Sequence, residues 1–359
     1  MVQQLTPGDK LPNFSLPDQS GATRIFYNEV KGGPIVLAVC DASQVLACDG
    51  LLLALQEAAE AIEQSGAQIF GVSSETPQGC AERAARLGLG FGLFADAQGT
   101  AVPHLLAPLR PSDPPSGARV YLLDPNQRIL AIVPADDAHP PVETILAVLA
   151  GYAAGESEGR LLDRSAPVLI LPRLFEPDFC AELIEAWYTK GNREGSLSTG
   201  EGNVYAPDAK KNREHLVKDV EQNKRISFTL ARRVGPELAK VFNDPRPFRF
   251  EGHIVLCYEA ERQDFFALHR DNLRQTDQRR YALTLNLNDD FEGGELVFPE
   301  YGPHRYKPAA GGGVIFSGNL LHEALPVTRG TRFALVTFFC DADQPDSRVP
   351  ADKRRQMAV

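Results

Sequence analysis

The sequence predicts two domains of different class: α/β over residues 1–150, and mainly β with flanking helices over residues 167–345. Three observations carry that expectation. The first half alternates short β-rich runs with helical periods, and the second half, from Phe248 onward, is a succession of strand-like runs. Between them, residues 151–166 (GYAAGESEGRLLDRSA) are polar and Gly-containing and read as a linker. At 359 residues the chain is long enough for two cores, given roughly 100–200 residues per domain.

In order along the first half, GPIVLAV is a strand, LLLALQEAAEAIEQSG a helix, AQIFGVSS a strand, QGCAERAARLG a helix and RVYLLDPNQRI a strand. The apolar helix PPVETILAVLAGY closes the domain. The second half opens with EPDFCAELIEAWYTKG, where Pro and acidic residues at the start and Gly at the end mark a helix. SFTLARRVGPELAKVF is a second helix. FRFEGHIVLCYE, YALTLNLN, GELVFPEYG, HRYKPAAGGGVIFSG and RFALVTFF follow as strands separated by Gly, Pro and Asp turns, the pattern of an antiparallel barrel or sandwich. Residues 346–359 read as a C-terminal tail.

Composition excludes several classes. The formal net charge is −10, with 8 Lys+Arg against 16 Asp+Glu in residues 1–150 and 29 against 31 in the remainder, so a nucleic-acid-coating role is not expected. The start, MVQQLTPGDKLPNF, has no charged n-region followed by an apolar h-region. Nowhere do about 18 apolar residues run together as a membrane span needs, and the expected location is cytoplasmic. The six cysteines are scattered without a CxxC pair, so neither a disulfide framework nor a structural zinc site is expected.

The chemistry concentrates in FFALHRDNLR, residues 265–274. Residues i and i+2 of a strand share a face, so His269 and Asp271 can point together into a barrel mouth while Arg270 points away. His322, in SGNLLHEALPVTRG, is the candidate third member. Two histidines and one carboxylate on one octahedral face leave open positions, as in non-heme Fe(II) oxygenases. An HxD pair alone is weak; Arg332, at the start of the alternating strand RFALVTFF, strengthens it. Its face continues through Ala334, Val336 and Phe338, and a guanidinium at the head of such a wall calls for an anionic partner, which a ligand carboxylate supplies in bidentate fashion. In LTLNLN, Thr284, Asn286 and Asn288 share a face; Thr284 and Asn286 are placed in the pocket, with the solvent face as the alternative.

With those residues in place, VLCYEAERQDFFALHRD, RRYALTLNLNDDFEGGELVFPEYG and YKPAAGGGVIFSGNLLHEALPVTRGTRFALVTFF resemble the Fe(II)/2-oxoglutarate-dependent dioxygenases of the prolyl-4-hydroxylase type. The resemblance implies a double-stranded β-helix (jelly roll) with flanking helices, iron held by His269, Asp271 and His322, and 2-oxoglutarate held through its distal carboxylate by Arg332. Tyr258 matches the motif tyrosine that reaches the cosubstrate. It further implies O2 as a reactant, ascorbate as an accessory reductant, and hydroxylation of an unidentified protein segment or small molecule. Residues 205–233 hold eight Lys+Arg against four Asp+Glu and read as a solvated face, or alternatively as a groove wall that receives an acidic or extended partner.

Residues 1–150 resemble the peroxiredoxin family, in its alkyl-hydroperoxide-reductase branch of the thioredoxin-like fold. GDKLPNFSLPDQSG, GPIVLAVCDASQVLACDGLLLALQ, LFADAQGTAV and RVYLLDPNQRI carry the likeness. It places a redox thiol at Cys48, with Arg119 as its arginine, and allows oligomerisation through this domain. The family's Pro seven residues before the cysteine is Asp41 here, and its Thr three residues before is Val45, which removes the hydroxyl that orients peroxide. The expected domain is therefore non-catalytic or weakly redox-active; an interaction scaffold and a thiol peroxidase guarding the iron domain are the alternatives.

Overall fold

The computed structural model describes residues 4–109, 117–135, 141–155, 164–199, 202–272 and 279–343; the tail expected at 346–359 lies outside them. The chain divides into two compact units, Met1–Gly159 and Arg160–Val359.

The first unit is built on a mixed five-stranded sheet in the order β3-β2-β1-β4-β5. β1 (Ile35–Cys40), β2 (Gln68–Ser73) and β3 (Gly92–Ala95) pair in parallel, while β4 (Ala118–Leu123) and β5 (Ile129–Ala135) add antiparallel. The central strand β1 is apolar and buried at all six positions because helices and loops cover both faces of the sheet. Val36, Ala38 and Cys40 join a core with Leu51, Leu52 and Leu55 of α1 (Val45–Glu57), and Leu37 and Val39 join a second core with Phe26 and Tyr121. In α2 (Pro77–Leu87), Thr76 caps the start by accepting from Gly79 N, and Gly88 ends it at φ 64. α3 spans Val142–Gly155. Residues 151–155 are thus its end rather than the beginning of a linker: the Ala-rich stretch sustains the helix through Gly151.

The second unit contains two antiparallel sheets that line one cavity. The larger has seven strands in the order β6-β15-β12-β17-β10-β9-β7, where β6 is Leu169–Leu171, β7 Arg193–Glu194, β9 Arg213–Leu216, β10 Phe248–Glu259, β12 Arg279–Asn286, β15 Gly313–Ser317 and β17 Thr331–Asp341. The smaller has the order β8-β11-β16-β13-β14, where β8 is Lys210–Lys211, β11 Phe265–His269, β13 Leu296–Val297, β14 Arg305–Tyr306 and β16 His322–Ala324. This is the expected jelly-roll class.

Helices α4 (Pro177–Thr189) and α5 (Val220–Phe242) cover one face of the large sheet. Leu183 and Trp187 of α4, with Ile226, Leu230 and Val234 of α5, share a core with Val255, Cys257, Leu283, Phe333 and Leu335. Strand alternation turns Leu256, Tyr258, Thr284, Arg332 and Val336 to the other face, which lines the cavity. α5 begins at Val220, earlier than SFTLARRVGPELAKVF suggests, because Asp219 caps it by accepting from Gln222 N. Pro236 is accommodated inside it.

Candidate functional site

His269 and His322 face each other in register across β11 and β16, with ring centroids 4.2 Å apart. Asp271 lies between them, each of its oxygens 3.8 Å from one Nε2. The expectation that Asp271 continues the strand is corrected: β11 ends at His269, and Asp271 is fixed instead by donation from its N–H to the Gly318 carbonyl at 3.0 Å. Gly318 permits that approach, since a Cβ there would lie 2.8 Å from the Arg279 carbonyl oxygen. The carbonyls of Ala267 and Leu320 sit 2.8 and 3.0 Å from Nδ1 of His269 and His322. Holding the ring protons at Nδ1 leaves the Nε2 lone pairs directed at the shared space.

These residues fit a divalent metal. The three donor atoms lie within 4.8 Å of one another, and Oδ2 of Asp271 is buried with no hydrogen-bond partner among the described residues. A buried carboxylate oxygen of this kind is costly unless a cation compensates it. Burial raises the Asp271 pKa, and burial followed by the His322 ring pushes His269 down to about 3, so that imidazole is neutral and able to ligate at neutral pH. Phe266 stacks on His269 at a centroid distance of 3.5 Å and Phe316 packs edge-on to His322, fixing both rings.

Arg332 is 4% exposed and lines the same cavity of about 340 Å³. Its Nε donates to Asn286 Oδ1 at 3.1 Å and its Nη2 to Thr284 Oγ1 at 3.2 Å. Its guanidinium carbon lies 5.5 Å from the centroid of the Tyr258 ring. Among the described residues it forms no ion pair, and burial pulls its pKa down against the smaller opposing effects of Tyr258 and Glu295, so this cation lacks the full compensation that a ligand carboxylate would supply. Thr284 lines the cavity as expected. Asn286, 2% exposed, bonds to the Pro308 carbonyl and to Arg332 and is not among the residues lining the cavity. Tyr258 lines the cavity, and burial pushes its phenol up to about 12.

Cys48 and Arg119 are not brought together. The Cys48 thiol is fully buried in the first turn of α1 and donates to the Asp41 carbonyl at 2.9 Å. Arg119 alternates with Ala118 and Val120 of the Cys48 core, so it shares the opposite sheet face with Tyr121 and donates to the Leu105 and Ala107 carbonyls at 2.8 and 2.9 Å. The sequence match for Arg119 therefore does not extend to a thiol–arginine pair.

Of the remaining cavity residues, Arg193 and Arg279 were not singled out in the sequence, and Lys210 and Glu214 only as part of the basic stretch 205–233. Arg279 pairs with Glu251 at 2.6 Å and stacks over Phe338, while Lys210, Glu214 and Arg193 form an ion cluster on another wall. Gly294, at φ +68, lets Arg332 pass: a Cβ there would lie 2.9 Å from Arg332 Cδ. The double glycine in EGGEL was its visible signal.

Comparison with known proteins separates the two halves. The profile of the AhpC/TSA family matches residues 7–131. A PKHD-type hydroxylase of Pseudomonas putida strain F1 is 30% identical over 184 residues, spanning 46% of this chain and 75% of that protein. PKHD-type hydroxylases of Psychrobacter sp. strain PRwf-1 and Synechococcus sp. strain JA-2-3B'a(2-13) are 39% and 34% identical over 102 and 100 residues. Each of those matches covers 26% of this chain and only 37% or 44% of the relative. Among solved structures, a Pseudomonas putida prolyl-4-hydroxylase is 19% identical with a TM-score of 0.40, covering 49% of this chain and 94% of that chain. Peroxidoxin BcpB from Mycobacterium tuberculosis is 24% identical with a TM-score of 0.36, covering 43% and 99%. No described helix is long and apolar enough to cross a membrane.

Proposed function

The chain belongs to the PKHD-type hydroxylases, a family of 2-oxoglutarate–Fe(II) oxygenases, and from that premise we propose that its second unit hydroxylates a C–H bond of a substrate that enters the cavity. The observation that carries this reading is the orphaned Asp271 carboxylate oxygen between two imidazoles whose Nε2 atoms face it. His269, Asp271 and His322 hold iron(II), and Arg332 takes the far carboxylate of 2-oxoglutarate. Bound there, iron supplies the oxidation of an unactivated C–H bond by O2, with 2-oxoglutarate converted to succinate and CO2 and one oxygen atom delivered to the substrate.

The chain's own residues position and exclude. Thr284 and Asn286 hold the Arg332 guanidinium in one orientation, so the cosubstrate carboxylate meets a preformed donor pair. Apolar walls from Leu256, Phe266, Leu296, Val336 and Phe338 displace water from the reacting end. Incubating the purified chain with iron(II), 2-oxoglutarate and O2, and searching lysate protein and metabolite pools for a +16 Da product, tests the reading. Succinate formation with a hydroxylated product supports it, and no iron-dependent succinate formation refutes it.

The first unit serves as a redoxin-like module without peroxidase activity. Burial of Cys48, its carbonyl-bound thiol and its separation from Arg119 support that over a thiol peroxidase.

A further inference from the structure

Lys210 is a buried cation that the hydroxylase chemistry does not use. It lies on β8, paired with Phe266 of β11, and is 8% exposed. Its ammonium lies 5.2 Å from the Phe266 ring centroid, and that ring stacks on His269, so the charge stands one aromatic layer from the metal-ligand cluster. Nζ donates to the Ser196 carbonyl at 3.1 Å and to Glu214 Oε2 at 3.4 Å. The other oxygen of Glu214 is taken by Arg193, at 3.1 Å from Nε and 2.9 Å from Nη2. One carboxylate thus serves two cations. The side chain of Arg193 is 61% exposed while those of Lys210 and Glu214 are 10% and 5% exposed, so the cluster runs from solvent inward to the reacting space.

The other cavity charges are balanced. Arg270 pairs with Glu300 and Arg279 with Glu251. Iron(II), Asp271, a dianionic cosubstrate and Arg332 together carry no net charge. Lys210, Arg193 and Glu214 together carry one net positive charge, and Lys210, at the inner end, shares its carboxylate partner with Arg193. Of the basic stretch 205–233, Lys210 is the cation among the described cavity-lining residues, whereas Arg213, Lys224 and Arg225 pair with Glu259, Glu221 and Glu182 away from it. A buried, under-compensated ammonium beside an apolar wall is a receptor for an anion joined to an apolar body.

We infer that Lys210, supported by Glu214 and Arg193, binds a carboxylate of the substrate and holds its apolar portion over Phe266 toward the metal ligands. This rests on the hydroxylase reading and adds a substrate class to it: a carboxylate-bearing molecule, either small or the free C-terminus of a peptide.

The test uses the full chain with iron(II), 2-oxoglutarate and O2, and follows the increase in succinate formation on adding matched acid and amide pairs. One arm uses the N-acetyl-L-amino acids and their primary amides; the other uses pentapeptide pools with free or amidated C-termini. The wild type should respond to acids in at least one arm at concentrations at least tenfold lower than to the matched amides, and the responding arm identifies the source. Lys210→Met should abolish that discrimination, and Lys210→Arg should retain it. Because the readout is a ratio within one protein, partial loss of folding does not imitate it. Equal response to acid and amide in the wild type, no response to any acid, or preference for acids retained in Lys210→Met overturns the inference while leaving the hydroxylase reading intact. Absence of any iron-dependent 2-oxoglutarate turnover overturns both.

Discussion

Arg332 and Asn286 sit on neighbouring strands, 3.1 Å apart from Nε to Oδ1, and this bond sets the direction in which the buried guanidinium faces the cavity. With Nε and Nη2 committed to Asn286 and Thr284, Nη1 makes no hydrogen bond among the described residues. Arg332→Lys keeps the charge and loses the planar fork. A loss of about 1–3 kcal/mol is expected, seen as a roughly 5- to 150-fold rise in KM for 2-oxoglutarate. Unchanged KM in this variant would remove Arg332 from the cosubstrate site.

Gly294→Ala tests the same geometry from behind. Its Cβ would meet Arg332 Cδ at 2.9 Å and Val327 Cγ2 at 3.0 Å at a positive φ. Displacement of the guanidinium should raise KM for 2-oxoglutarate more than it lowers kcat, with a stability cost of about 1–3 kcal/mol. A thermal midpoint that falls while KM stays fixed would show that Gly294 matters for the turn alone.

His253 gives stability a pH dependence. It is fully buried, its Nε2 lies 2.7 Å from Ser227 Oγ, and burial pushes its pKa down to about 4. The unfolded chain, with an ordinary value near ~6.5, binds this proton first, so stability is complete above that pH and falls as pH drops from about 6.5 to 4. The loss should reach about 3 kcal/mol, and His253→Gln should flatten this part of the profile in urea unfolding. An identical slope in the variant would assign the dependence to other groups.

Cys48→Ser should leave 2-oxoglutarate turnover unaffected under reducing conditions, because the thiol is buried in the first unit and bonded to the Asp41 carbonyl. The wild-type chain should consume hydrogen peroxide no faster than an ordinary thiol. Rapid, Cys48-dependent peroxide reduction would make the first unit a second enzyme.

What was legible in the sequence was local. Alternation along RFALVTFF put Arg332, Val336 and Phe338 on the cavity face, and the spacing of His269, Asp271 and His322 anticipated a cluster that the β11–β16 register forms. Alternation also held the answer for Arg119, since Ala118 and Val120 belong to the Cys48 core and Arg119 falls between them; there the family match outweighed the strand geometry. Lys210 was legible only as one cation of the basic stretch 205–233, whose alternative reading was a groove wall; what singles it out from Lys211 and Arg213 is its pairing with Phe266, a contact far apart in the chain.

The central claim is that His269, Asp271 and His322 form one iron site, and anaerobic equilibrium dialysis with iron(II) measures it directly. The wild-type chain should bind one equivalent, and Asp271→Ala, which removes the only carboxylate of the cluster, should lose that binding while keeping the wild-type circular dichroism spectrum. Stoichiometric iron(II) binding by wild type and Asp271→Ala alike, with equal affinity, would contradict the assignment.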